Sequence, residues 1–351
     1  MWLQARQVWM YFRLYQDVPR LKNRDIWNPA VKGADFLLKC LVEKNSCTRC
    51  PFSVTKDGQA IKIQRNLFSE CFFVMAMSET WRATNVDKYK VAAVSFMQKI
   101  RHWCIVDDSA LGADDLPGTT KTSKLAVAMM SLCLCEQMHI SNLQWENLSG
   151  DEEKLEDWSV RNLLSHVQRS GTVVLESVSL SGQEIPGADG RLYVPGHAIE
   201  CGWFLLQHAL QCNNVMLAEK ACLCFIDAAF SKGWDADNGG LFYFLDADGY
   251  CPLQLEWNMK LWWPHCEAMI AFILSYKFKK ETRLLDNFVK VAEYTFSKFS
   301  DKKGEWYGYL NRKGEVSSNF KGGPWKGCFH VPRAMLMCEN ILLELIDSCD
   351  K

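Results

Sequence analysis

Apolar residues recur at i, i+3 and i+4 over eleven stretches of the chain, and each stretch predicts an amphipathic helix. They cover 2-16, 30-43, 67-83, 87-106, 124-139, 152-169, 197-211, 216-231, 260-277, 281-299 and 329-347. Between them lie four short segments of strand-like residues on either side of an X-Gly turn, each predicting a β-hairpin. These are FSVTKDGQAIKI with Gly58, VVLESVSLSGQEI with Gly182, LFYFLDADGYCPL with Gly249 and WYGYLNRKGEV with Gly314. The turn glycines are 124, 67 and 65 residues apart, and the first interval is close to twice the others. Another turn-rich loop, LGADDLPGTTKTS, falls in the slot that this doubling leaves.

A hairpin followed by a helix and returned by a second helix is a repeating unit that buries its apolar faces on its neighbours. Six such units can close into an all-α (α/α)6 barrel, with six inner helices inside an outer ring and short hairpins at one end. An open solenoid is the alternative. Recurrence of the hairpins on one side, and aromatic residues at the starts of the helices that follow them, favour closure. Six helices follow a hairpin or its equivalent and five lead into one, so the expectation is one barrel domain over 1-351 that lacks one N-terminal outer helix. An exposed apolar strip beside Arg6 and reduced stability would follow, because one amphipathic face typically buries several kcal/mol at about 25 cal/mol per Å2.

Composition narrows the function classes. Apolar residues make up 48% and charged residues 23%, with a net charge of -1, so no basic surface speaks for nucleic acid or an anionic membrane. No apolar run reaches the roughly 18 residues of a membrane span, and the arginines within MWLQARQVWMYFRLYQDV do not suit a signal peptide. The sixteen cysteines are scattered over helical faces, which predicts reduced thiols and a cytoplasmic protein. Cys47 and Cys50 form a lone C-x-x-C without the second pair that a zinc site needs, so no metal is expected.

Chemistry is expected where the inner helices start. Counted from the turn glycines, His197 lies 15 residues on, His265 and His330 16 on, and Glu70 12 on. A single histidine there would ordinarily cap a helix or fill a core hydrogen bond. Three in register look like one site assembled by the repeat. Glu200 follows His197 by one turn on the same face. Glu267 is only two residues from His265, so the two cannot share a helix face. An imidazole titrates near pH 6.5 and suits proton transfer. Two of them across a pocket suit removal of a proton from one face of a carbon and its return to the other. An inverting glycosidase would want two carboxylates roughly 6.5-9.5 Å apart instead.

Six segments carry a resemblance: RQVWMYFRLY, FSECFFVMAM, PGHAIECGWFLL, GGLFYFLDADGYCPLQLEWNMKLWWPHCEAMIAF, EWYGYLNR and KGGPWKGCFHVPRAM. Together they resemble the N-acylglucosamine 2-epimerase family, also described as renin-binding proteins, from residue 2 to about 347. The resemblance implies interconversion of N-acetylglucosamine and N-acetylmannosamine in amino-sugar and sialic acid metabolism, by a homodimeric isomerase. It gives catalytic roles to His197, His330, Arg6 and Glu267, with Glu200 beside His197, while the register of the repeat adds His265 and Glu70 in support. Trp203, Trp262, Trp263 and Trp325 are candidate pocket walls. Arg6 would stabilise the oxyanion of an enediolate, usually a large electrostatic contribution. No cofactor enters the chemistry, but ATP or another nucleotide would act as a non-reacting activator at GADDLPGTTKTSK, which is not a Walker loop. The competing reading is an impaired, shortened form that serves as a binding partner, renin included.

Overall fold

The computed structural model describes residues 1–44, 47–112, 118, 120–301 and 303–349. By its contacts the chain divides into two compact units. The first comprises Met1–Thr120, Val127–Arg161 and Gly327–Phe329; the second comprises Lys121–Ala126, Asn162–Lys326 and His330–Lys351.

In the first unit, α1 (Trp2–Asp17) buries Ala5, Val8, Trp9, Met10 and Phe12 and packs on α2 (Trp27–Lys39). Helix α2 starts three residues before the expected 30, since Pro29 is tolerated in a first turn. Strands β1 (Val42–Lys44) and β2 (Cys47–Arg49) pair antiparallel, as do β3 (Ser53–Val54) and β4 (Ala60–Lys62). The second pair is the expected hairpin, turned at Gly58 with φ of 97°. Helix α3 (Phe68–Thr84) is buried continuously from Ser69 to Thr80 and packs on α1 and on α4 (Asp87–Ile105). An all-round buried helix belongs inside, and its one-faced neighbour outside. Most of α5 (Leu125–Ile140) and α6 (Leu155–Ser165) complete the unit. The apolar strip expected beside Arg6 is absent from α1: Gln4 and Gln7 are its exposed positions, and its large apolar side chains are buried or half-buried.

The second unit holds the other strands, and here the hairpin expectation needs correction. Strand β5 (Thr122–Lys124) pairs with β8 (Ser177–Ser179), and β6 (Val167–Gln168) with β7 (Val173–Val174). A single helical turn, α7 (Ala188–Arg191), leads into β9 (Leu192–Tyr193), which pairs with β10 (Leu245–Asp246). Strand β11 (Lys260–Leu261) pairs with β12 (Tyr309–Leu310). The turns at Gly182, Gly249 and Gly314 exist, but their strands pair mainly with distant segments; local closure is left to short contacts such as the Leu310–Val316 bridge. Two-residue strands gain too little from a local hairpin to stand alone, so tertiary partners win. Helix α6 also ends at Ser165, short of the expected 169, because Arg169 and Ser170 turn the chain with φ of 52° and 57° into β7.

The helices of this unit repeat the inner and outer alternation. Helix α8 (Pro195–Gln211) packs on α9 (Val215–Lys220), on the π-helical stretch Ala221–Asp227 and on α10 (Ala228–Gly233). Helix α11 (Trp262–Lys279) is buried from Trp262 to Ser275 and packs on α8, on the one-faced α12 (Thr282–Phe299) and on α13 (His330–Cys349). Among the described residues no helix is long and apolar enough to cross a membrane, and none of the described cysteines forms a disulfide.

Candidate active site

The chemistry-bearing residues of the second unit sit on three helices, at spacings of one turn. Helix α8 begins at Pro195, whose ring suits a first-turn position, and presents His197, Glu200 and Trp203. Helix α11 presents Trp263 and Glu267, and α13 opens with His330 and carries Arg333 one turn on. Intervals of three and four residues place each set along one helix face.

His330 is held by a buried network. Its Nδ1 lies 2.6 Å from Glu267 Oε1 and 3.5 Å from the Arg333 guanidinium. The carboxylate contact is by far the shorter, so the ring hydrogen sits on Nδ1 and is donated to Glu267, leaving the lone pair on Nε2. Glu267 accepts from two further groups: Trp203 Nε1 donates to Oε2 at 2.9 Å, and Arg333 Nη2 is 2.6 Å from Oε1.

His197 has a simpler partner. Its Nδ1 lies 3.0 and 3.1 Å from the two oxygens of Glu176, immediately before β8. The same logic puts its hydrogen on Nδ1 and its lone pair on Nε2. Burial disfavours the imidazolium, but the charge and hydrogen bond of Glu176 and the charge of Glu200 outweigh it, so the pKa is raised above 6.5. The side chain keeps 29% exposure, against 9% for His330.

Both imidazoles lie against one indole. The Trp263 ring centroid is 5.0 Å from that of His197 and 5.9 Å from that of His330. A side chain on Gly196 would place its Cβ 2.8 Å from the Trp263 ring, so a residue without one lets the indole approach the start of α8.

Glu200, Glu267 and His330 bring ligand-type atoms within 4.8 Å of one another. The position a cation would take is filled by Arg333, whose Nη2 lies 2.7 Å from Glu200 Oε1 and 2.6 Å from Glu267 Oε1. Burial alone would lower the Arg333 pKa; Glu267 and Glu200 raise it instead and keep the guanidinium charged. The same closeness separates the site from an inverting glycosidase, whose carboxylates stand roughly 6.5-9.5 Å apart.

Two candidates named from the sequence, His265 and Glu70, are engaged by other partners. His265 is the core histidine that register alone argued against. Its Nδ1 donates to Leu261 O at 2.6 Å, its Nε2 accepts from the Leu241 amide at 2.9 Å, and burial lowers its pKa to about 3. Two residues from both Trp263 and Glu267, it is turned to another side of α11. Glu70, in the first unit, accepts from Arg49 Nε at 2.7 Å and from the Cys50 amide at 2.9 Å, tying β2 to α3. Trp325 is 49% exposed, whereas Trp203 and Trp263 are buried. Arg6 also belongs to the first unit, its guanidinium 4.1 Å from the ring centroid of Phe72 and 4.6 Å from that of Phe329; its role in catalysis rests on the resemblance. In the expected nucleotide segment, residues 113–117 and 119 lie outside the described residues.

Two site residues escaped the sequence reading. Arg333 follows His330 by one turn in HVPR, so a search for charges at i+3 would have found it. Glu176 has no such signal, because 21 residues and two strands separate it from His197.

Comparison with known proteins agrees with this architecture. The profile of the family described as N-acylglucosamine 2-epimerase (GlcNAc 2-epimerase) matches residues 1–334. The N-acylglucosamine 2-epimerase of Mus musculus is 49% identical over 350 residues, covering 99% of this chain and 83% of that protein. The Homo sapiens protein of the same name is 48% identical, covering 98% and 80%. Among solved structures, cellobiose 2-epimerase from Bacillus thermoamylovorans superposes with a TM-score of 0.78 at 17% identity, covering 97% of this chain and 87% of that one. This likeness shows the fold, an all-α (α/α)6 barrel as expected. A family 76 glycoside hydrolase shares it more loosely, at a TM-score of 0.58 and 12% identity with coverage of 98% and 69%, so the fold does not choose the chemistry. The match along the whole chain and the identity of nearly one half do choose: this chain belongs to the N-acylglucosamine 2-epimerase family of isomerases.

Proposed function

We propose that this chain interconverts N-acetylglucosamine and N-acetylmannosamine at C2. The observation that carries the reading is the pair of imidazoles against Trp263, each giving its Nδ1 hydrogen to a carboxylate and so keeping a lone pair on Nε2. In the open-chain sugar, C2 lies next to the C1 aldehyde. One imidazole takes the C2 proton; the C–H electrons form the C1–C2 double bond, and O1 carries the negative charge. The other imidazole, which has first bound a solvent proton on Nε2, returns that proton to C2 from the opposite face as the carbonyl re-forms. Atoms and charge balance without an external reagent, and the histidines exchange roles in the reverse direction. Glu176 and Glu267 orient the rings and favour their protonated forms as each takes up a proton.

Incubation of the full chain with N-acetylmannosamine in deuterated buffer tests this. The expected product is N-acetylglucosamine carrying deuterium at C2; no inversion and no C2 exchange would reject it. The same assay with ATP tests nucleotide activation, expected as faster turnover without nucleotide hydrolysis. Membership of a homodimer, a cytoplasmic location and a role in sialic acid supply follow from the family resemblance, and sedimentation reads the first.

A further inference from the structure

Two buried carboxylates on different helices, Glu200 and Glu267, converge within 4.8 Å of each other and of a His330 ring nitrogen. Like charges this close oppose each other's ionisation, and burial adds to the opposition. Without a cation between them, a proton shared by two such carboxylates would relieve their repulsion. A protonated Glu267 would donate to His330 Nδ1 instead of accepting from it. The ring hydrogen would move to Nε2, and the lone pair needed at C2 would be lost.

The group that prevents this is Arg333. One nitrogen, Nη2, reaches both carboxylates, at 2.7 Å to Glu200 and 2.6 Å to Glu267. Its guanidinium carbon lies 5.1 Å from the Trp203 ring centroid and 5.8 Å from that of Phe204, in a slot that suits a flat delocalised cation. Of the other titratable groups around the cluster, the two thiols add no charge. Burial raises the thiol pKa of Cys266 and raises that of Cys338 to about 12, so both are neutral. Lys326 acts on Cys266 at longer range, and His197 feels Glu200.

We propose that Arg333 is a positioning residue that holds Glu200 and Glu267 ionised together and thereby fixes the His330 hydrogen on Nδ1. The proposal deepens the epimerase reading and rests on it for its kinetic consequences, but the tautomer can be read without turnover.

The experiment compares wild type, Arg333→Met, Arg333→Lys and the double variant Arg333→Met with Glu200→Gln, all as full chains with circular dichroism as the folding control. In 15N-histidine NMR of the substrate-free protein, wild-type His330 is expected to be protonated on Nδ1, and in Arg333→Met on Nε2. Epimerisation by Arg333→Met is expected to fall about 100-fold in kcat with little change in KM. The pH at which activity appears should rise, since the carboxylate pair must first lose its extra proton. Removing the second carboxylate in the double variant should return about tenfold of kcat and the Nδ1 tautomer. A packing role predicts neither. Arg333→Met with wild-type tautomer and pH profile overturns the proposal, as does a folded double variant that recovers nothing. Should Arg333→Met fail to fold, Arg333→Lys decides: it keeps the charge, so a folded form with His330 protonated on Nε2 overturns the proposal. Loss of C2 exchange in wild type would instead reject the epimerase reading and leave the tautomer measurement standing.

Discussion

The two histidine–glutamate pairs use the same bond and different surroundings. His197 shares Glu176 at 3.0 and 3.1 Å, and its side chain keeps nearly a third of its exposure. His330 meets Glu267 at 2.6 Å within a buried cluster of arginine, tryptophan and a second glutamate. A carboxylate near water stays ionised with modest help, whereas a fully buried one needs every oxygen satisfied and a counter-charge at hand. The first pair can therefore be tuned by one substitution. The second must stand or fall as a network.

The largest effect expected is loss of either imidazole. His330→Asn and His197→Asn should each lower epimerisation by about 1000-fold or more, within the range of general acid–base catalysis. Their difference shows in deuterated buffer. Each variant should still exchange the C2 hydrogen of one epimer, with retention, and leave the other epimer untouched. Loss of exchange from both epimers in both variants would break the two-base comparison.

Next in size are the carboxylates. Glu267→Gln should reduce kcat about 100-fold, because the amide offers either a donor or one weaker acceptor to a network built around a charge. Glu176→Gln should reduce it only about tenfold. Equal losses would show that exposure does not separate the two pairs.

The pH dependence sharpens the contrast. The folded-state pKa of His197 is raised, so the stability it contributes is fully present below about 6.5, its unfolded value, and is lost as pH rises through the higher folded value. Where His197 serves as base, activity should rise with pH through that same raised value. Glu176→Gln should move this limb to lower pH and cost stability only on the acid side of it. Denaturant melts and rate profiles from pH 5 to 9 check both.

The smallest catalytic effect is expected from the third histidine. His265→Ala removes the acceptor for Leu241 and the donor to Leu261 and leaves a cavity, at a cost of about 2–4 kcal/mol. A lower melting temperature with kcat/KM within about threefold of wild type is the expected result. A loss as large as that of His330→Asn would return His265 to the chemistry.

Much of the fold was legible because helical periodicity is local. The starts and ends of most helices fell within a few residues of the structure, and their place after a turn-rich segment marked α3 and α11 as inner helices. Apart from β3 and β4, the hairpins were legible as turns but not as pairings, since β8 and β10 found partners 52 or more residues away. Register along the repeat brought out His197 and His330, and equally brought out His265 and Glu70, whose polar atoms the fold uses for itself. Spacing reports which residues recur at the same helical level. It does not report which way each one turns.

What the sequence determined by itself was the alternation of inner and outer helices and the supply of imidazoles and carboxylates at the inner helix starts. Both follow from short-range periodicity and from the number of polar groups that an apolar stretch is made to carry. Only the tertiary structure decided that Glu176 would meet His197, that Arg333 would join two carboxylates, and that the hydrogen of each imidazole would sit on Nδ1. Those outcomes depend on distances of a few ångströms between segments far apart in the chain, where electrostatic forces are strong but leave no trace in the order of residues.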